Sequence, residues 1–434
     1  MNFGILVLLL ALILFGLLAF KQISALILAP LVTIFVIVCS GMPILTSLKE
    51  MFMPAASAYV TSYFLVFFVG ALFGAVYQHT GAAESISKTL AGLCKGKFVA
   101  PIIMTITGVL TYGGVSGFVV FFVIYPIALN LFREGDVSRR LLPAAISAGC
   151  WTWSMYGPGS PSIQNVIAMT SLGTPSTAAM VPSTIAAIAS YVLIFVWLEY
   201  RTQAFKKKGW VFEDPTLKFE LPAEEMIMDD DHEIPSFLVS IIPIIVILAL
   251  FNIVKLPVET AVFAGVALAT ILMWKRVGGI NDWIAVFNEG AANSGVSILN
   301  TAIVVGFGGV VKATQGFTDL VAMLKTFNMP ALVFVMVTVA ICAGACGSAS
   351  GGMGVAFNAL TDTYLELGAD LADVHRIAAI AAGTLDSLPH QGAQITLLGI
   401  THMTHKEAYF DIFITQIAIP FISCFIFIIV TAVL

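Results

Sequence analysis

The sequence predicts an all-α polytopic membrane protein made of two inverted-topology repeats, with about ten transmembrane helices and two re-entrant hairpins. Three observations carry this reading. Hydrophobic residues make up 59% of the 434-residue chain and charged residues only 10%, against roughly 25% charged in soluble domains. Apolar spans beginning near residues 3, 23 and 59 recur near 237, 258 and 294. Each copy also holds a pair of apolar runs too short to cross a bilayer singly, separated by a glycine- and serine-rich tip.

Taken in order, the first repeat (1–198) has spans at 3–20, 23–39 and 59–77, a hairpin at 98–132, a broken helix at 141–171 and a span at 177–198. No basic residues precede the first span and no small-residue cleavage site follows it, so it is expected to remain in the protein. A polar linker, 199–236, is expected in the cytoplasm, and its acidic second half, with the run DDDHE, reads as solvated chain. The second repeat (237–434) has spans at 237–253, 258–274 and 294–311, a hairpin at 330–366, a broken helix at 377–400 and a span at 408–434. Side chains repeat with the spans: GAVYQHTG (74–81) aligns with GVVKATQG (309–316), and GGVSG (113–117) with GSASG (347–351). AAISAGCWTWS (144–154) likewise matches AAIAAGTLDS (378–387). The six cysteines form no CxxC pair and read as small packing residues, without a metal or disulfide role.

Five crossings per repeat turn the second upside down relative to the first. With both termini outside and the 199–236 loop in the cytoplasm, fifteen of the 20 Lys and Arg fall inside, leaving only Lys49, Lys255, Lys312, Lys325 and Arg376 outside. That is the sense of the positive-inside rule. Fourteen crossings, with both hairpins spanning, fit the same count.

Polar and helix-breaking residues at membrane depth must be buried in protein or line a wet cavity. Four places qualify: the two hairpin tips, MYGPGSPS in the first broken helix and DSLPHQG in the second. Ser160 reads as a helix N-cap followed by Pro161 at the first helical position. Helix N-termini carry unpaired N–H groups and a positive dipole end, which suit a carboxylate. The expected anion site therefore draws Gly114, Ser116 and Gly117 from the first tip and Ser348, Ser350 and Gly351 from the second. It draws Tyr156, Ser160 and Ser162 from the first break and Ser387, His390 and Gln391 from the second, with Trp151 and Trp153 as further walls. Asp386 is the acid expected nearest mid-membrane, where a charge costs from about 2.5 kcal/mol upward. His390 lies one turn later on the same face, so the two are the candidate proton-coupling pair. The bland alternatives are structural hydrogen bonds for Asp386 and His390 and close packing for the serines.

GTLDSLPHQGAQITLL and YGPGSPSIQN, together with the glycine and serine hairpins, make the chain resemble the gluconate permease (GntP) family of the ion transporter superfamily. The resemblance covers nearly the whole chain, and LDSLPH is its most specific part. It implies an elevator-type secondary transporter in the plasma (inner) membrane, working as a homodimer, with proton-coupled uptake of gluconate or a short hydroxy acid such as 3-hydroxybutyrate. The Ser-Asn-Thr tip motif of the sodium-coupled relatives is missing, which leaves Na+ as the alternative coupling ion. No bound cofactor, metal or nucleic-acid partner is expected, only the lipid bilayer and a small organic anion. An enzyme of another class, an intramembrane serine protease using GVSG with His390 as base, would have no need of the twin tip SASG.

Overall fold

The computed structural model describes residues 2–21, 23–112, 117–160, 162–221, 234–254 and 256–434. Among these the regular structure is helical, without a strand. The first half runs α1 (Phe3–Phe20), α2 (Ala25–Cys39), α3 (Ile44–His79), α4 (Ala82–Cys94), α5 (Val99–Tyr112), α6 (Gly117–Glu134), α7 (Leu142–Trp151), α8 (Ile163–Leu172) and α9 (Met180–Lys207). The second half runs α10 (Phe237–Asn252), α11 (Val258–Leu272), α12 (Ile280–Ala313), α13 (Gln315–Leu324), α14 (Ala331–Cys346), α15 (Ala349–Glu366), α16 (Leu371–Leu385), α17 (Gly392–Ile400) and α18 (His405–Val433). Helices α1, α3, α9, α12 and α18 are long and apolar enough to cross a membrane.

Side-chain caps set many of the helix starts, because the first N–H groups of a helix otherwise lack partners. Thr314 Oγ1 accepts from Phe317 N at 3.1 Å, Asp370 Oδ1 from Ala372 N at 2.8 Å, and Gln391 Oε1 from Gln394 N at 3.1 Å. Thr404 and Glu407 form a reciprocal capping box at the start of α18.

The halves interlock through reciprocal contacts. The long α3 and α12 lie against each other at the centre, α2 packs on α12 and α11 on α3, and α1 packs on α13 as α10 packs on α4. The hairpins α5/α6 and α14/α15 fold back on themselves and pack against α7 and α16 respectively, while α8 crosses to α16 and α17 to α7. The exchange is not complete: α6 packs on α3 and α4, but α15 makes no comparable contact with α12 or α13.

Several elements differ from expectation. The third spans are longer at both ends, and α3 stays continuous through a π turn at Leu48–Phe52. The amphipathic α4 and α13 are additional short helices. In the first part of the 199–236 segment α9 continues to Lys207 and the chain after it docks on the first half. Its aromatic residues and Asp214 explain this. Arg140 donates to Asp214 Oδ2 at 3.0 and 3.2 Å and sits over the Trp210 ring at 4.4 Å, and Arg133 lies over Phe212 at 5.1 Å. The run 222–233, with the DDDHE segment, lies outside the described residues.

Candidate functional site

A cavity of about 130 Å³ lies where the second hairpin turn, the two helix breaks and the central helices meet. The hairpin contributes Gly347 to Ser350, α16 and its end Gly383 and Asp386, and the start of α17 Gln391 to Ala393. The first broken helix adds Trp151, Met155, Ile163 and Gln164, and the central pair adds Tyr59 and Tyr63 from α3 with Thr301 and Val305 from α12.

The hairpin turn is shaped by two glycines. Gly347 sits at φ +60°, the left-handed region, and a Cβ on Gly352 would come within 2.2 Å of the Ala343 backbone, so α14 and α15 approach backbone to backbone. Ser348 then caps α15, accepting from Gly351 N at 3.2 Å, with Ser350 Oγ 3.3 Å away. The N-terminus of an 18-residue helix thus opens at the cavity. Lys312, at the end of α12, brings its Nζ within 2.8 Å of the point where a Cβ on Gly351 would lie. A cation beside a helix N-terminus is unfavourable for the empty fold and favourable once an anion lies between them.

Asp386 follows the last residue of α16. Its carboxylate accepts from Ser387 Oγ at 3.2 Å and Gln391 Nε2 at 3.4 Å, and the Ala349 N–H at the start of α15 is turned to it. Backbone carbonyls freed by the break are met by side chains: His405 Nε2 lies 3.0 Å from Pro389 O, and Tyr409 donates to Ser387 O at 3.0 Å. A polar chain leads away from the site, with Gln416 Nε2 donating to Ser147 Oγ and Gln416 Oε1 accepting from Gln394 and Ser387.

His390 does not face Asp386. Its Nε2 lies 3.0 Å from Gly344 O, and its ring packs edge-on against Phe15 and Phe307. The helical four-residue rule fails here because residues 386 to 391 lie between α16 and α17 rather than on one helix.

The first break begins earlier than its prolines, at Thr152, with a single turn at Trp153–Tyr156 before α8. Ser162 caps α8, not Ser160: Ser162 Oγ accepts from Asn165 N at 3.4 Å, and Pro161 lies outside the described residues. Asn165 is the hub of this break. Its amide nitrogen donates to the carbonyls of Met155, Gly157 and Ser160, while its oxygen accepts from Arg376 at 2.6 Å and lies 3.2 Å from His375 Nε2. Arg376, placed by the charge count in an outer loop, is wholly buried and donates further to the carbonyls of Tyr156, Ser176 and Ala178. A fixed planar fork of donors satisfies three backbone carbonyls and the Asn165 side-chain oxygen.

Of the residues expected at the site, Ser348, Ser350, Gln391, Asp386 and Trp151 line the cavity. Ser387 and Gly351 lie directly behind its wall, through Asp386 and Ser348. Tyr156 is buried with its hydroxyl 2.5 Å from Ser190 Oγ, Trp153 donates to the Met104 sulfur, and Ser160 and Ser162 serve the break itself. Gly117 admits the Trp151 indole, whose Nε1 would lie 2.8 Å from a Cβ there. Gly114 and Ser116 lie outside the described residues. Sequence reasoning missed Gln164, although it stands in the YGPGSPSIQN stretch that marks the break, and missed the place of Lys312, whose only signal was a basic residue at the end of a span.

A larger cavity, about 340 Å³, lies beside α3, α6, α12 and α17 and includes Gln78, Glu289, Asn293, Asn300 and Thr396. Between the two cavities Thr301 Oγ1 and Thr396 Oγ1 are 2.6 Å apart, and Thr396 donates to Ser297 O at 3.2 Å.

No family model matches the chain. It is 32% identical to the uncharacterized transporter YxjC of Bacillus subtilis (strain 168), over 94% of this chain and 95% of that protein. A second uncharacterized transporter, from Haemophilus influenzae, is 25% identical over 81% of this chain and 80% of its own length. With its apolar helices, its broken-helix site and this near full-length match, the chain belongs to the membrane transporter family that includes YxjC.

Proposed function

We propose that the protein is a proton-coupled symporter of the plasma membrane that takes up a small organic monocarboxylate, such as gluconate or a short hydroxy acid like 3-hydroxybutyrate. The observation that carries this reading is the convergence of the α15 N-terminus, Ser348, Ser350 and Asp386, the one cavity-lining carboxylate among the described residues, on one small cavity. Helix ends compensate about half a charge each, which suits a monoanion more than a di- or trianion.

Coupling follows from competition for the same donors. The Asp386 carboxylate faces the first N–H of α15, the group an incoming carboxylate would use. Two carboxylates cannot share that place while both are charged, so substrate entry favours protonation of Asp386 and substrate and proton travel together. His390 belongs to the support of the hairpin in this reading, not to the relay.

The reciprocal packing supports an inverted repeat, the excess of Lys and Arg on the linker side favours both termini outside, and the uneven seating of the two hairpins supports a hairpin-bearing unit that moves against α3 and α12 as an elevator; the homodimer rests on the family resemblance alone. Reconstituted protein should accumulate labelled 3-hydroxybutyrate or gluconate under an inward proton gradient without sodium. Accumulation that needs a sodium gradient at fixed pH would replace the proton by sodium, and no uptake of either acid would remove the carboxylate reading.

A further inference from the structure

Gln164, in the first turn of α8, lines the site cavity, is only 5% exposed, and has an amide oxygen without a hydrogen-bond partner among the described residues. Its Nε2 donates to the Met155 sulfur at 3.3 Å. Sulfur only accepts here, and weakly, so the nitrogen belongs on that side and the oxygen is the group left over. Buried acceptors of this kind are uncommon in folded chains and each asks for a reason. The neighbouring donors are taken: Ser162 Oγ donates to Met155 O, Asn165 Nδ2 to the carbonyls of the break, and Gln391 Nε2 to Asp386.

We infer that Gln164 Oε1 accepts a hydrogen bond from a hydroxyl of the transported acid, which makes Gln164 the residue that separates hydroxy acids from their deoxy analogues. The inference rests on the carboxylate-transport reading above. What the oxygen lacks is a donor. A carboxylate has none to give, so a plain short-chain acid leaves Oε1 unpaired, whereas a hydroxyl supplies the missing hydrogen. The terminal torsion of a glutamine is broad, so the amide can turn to meet it. Because α8 packs on α15, Gln164 and the Ser348–Ser350 turn form two walls of one cavity of about 130 Å³. A short molecule spans them with its carboxylate at the α15 N-terminus and its hydroxyl at α8.

The test compares 3-hydroxybutyrate with butyrate as competitors of labelled-substrate counterflow in proteoliposomes, with thermal shift of the purified carrier as a second readout. Wild type should favour the hydroxy acid by at least about tenfold, since a site with a buried polar group discriminates against a ligand that leaves it unpaired. Gln164→Met keeps the volume without the acceptor and should bring the ratio close to one. Gln164→Glu keeps an acceptor oxygen and should retain the preference while weakening both acids through like charge. Equal affinities in wild type, or a preference that survives in Gln164→Met, overturn the inference. If Gln164→Met does not insert, the wild-type ratio and Gln164→Glu decide: loss of the preference in Gln164→Glu overturns it as well. Failure of wild type to recognise 3-hydroxybutyrate, butyrate and gluconate alike overturns the carboxylate reading itself, a separate outcome.

Discussion

The two helix breaks occupy corresponding places in the two halves and are furnished in opposite ways. At the first, a neutral hub, Asn165, ties three backbone carbonyls to a wholly buried arginine, and nothing at the hub is an acid. At the second, amides and hydroxyls surround a carboxylate that opens onto a cavity. One is braced and the other is left with a group that can change charge. The difference teaches that two breaks at matching places in the sequence need not be furnished alike: the first is held by a buried arginine and an asparagine, the second surrounds a carboxylate beside a cavity.

The comparison is sharpened most strongly at the hairpin beside the second break. Ser350→Leu puts a bulky side chain at the mouth of the α15 N-terminus and should abolish uptake with normal membrane insertion, measured by transport and by detergent-extracted yield; normal uptake would move the site elsewhere. Next in size, Arg376→Met removes the brace of the first break. It leaves buried acceptors unpaired and should cost about 3 kcal/mol or more, because hydrogen bonds to charged donors are worth roughly 1.5–3 each. The readout is the melting temperature of the purified carrier, and an unchanged value would contradict the brace. Thr301→Val removes the 2.6 Å hydroxyl contact between the site cavity and its larger neighbour. At about 1 kcal/mol for such a bond, exchange of substrate should change by no more than about tenfold.

The smallest effect lies far from both breaks. Burial works to raise the Asp214 pKa, but hydrogen bonds from Thr216 and the Arg140 guanidinium outweigh it and leave the group below its ordinary value. A carboxylate depressed in the folded state adds stability above its unfolded pKa of about 3.9 and loses it as pH falls through the lower folded value. Docking of the segment after α9 should therefore survive at neutral pH and weaken only in strong acid, whereas Asp214→Asn should release it at pH 7, with protease sensitivity of that segment as the measure.

Much of this frame was legible in advance because bilayer-spanning segments and their interruptions announce themselves in composition. The Gly347 turn, the Ser348 cap and the interval between α16 and α17 all coincide with glycine, serine or proline in otherwise apolar sequence. Arg376 could not be placed that way. It looks like a loop charge, and only contacts with carbonyls some 200 positions earlier in the chain, such as those of Ser176 and Ala178, explain it. His390 misled for a different reason: a helical spacing was applied where the chain is not helical. Gln164 has only its place in the YGPGSPSIQN stretch to mark it, since its meaning depends on a partner that the described residues do not supply.

Asp386→Asn tests the central claim, that one carboxylate at the second break couples substrate to protons. The substitution holds the site in a permanently neutral form, so the loaded carrier can still move but gains nothing from a proton gradient. Counterflow exchange of labelled 3-hydroxybutyrate should persist while accumulation driven by an imposed pH gradient disappears. A mutant that still concentrates substrate under that gradient would make Asp386 a structural residue and contradict the account.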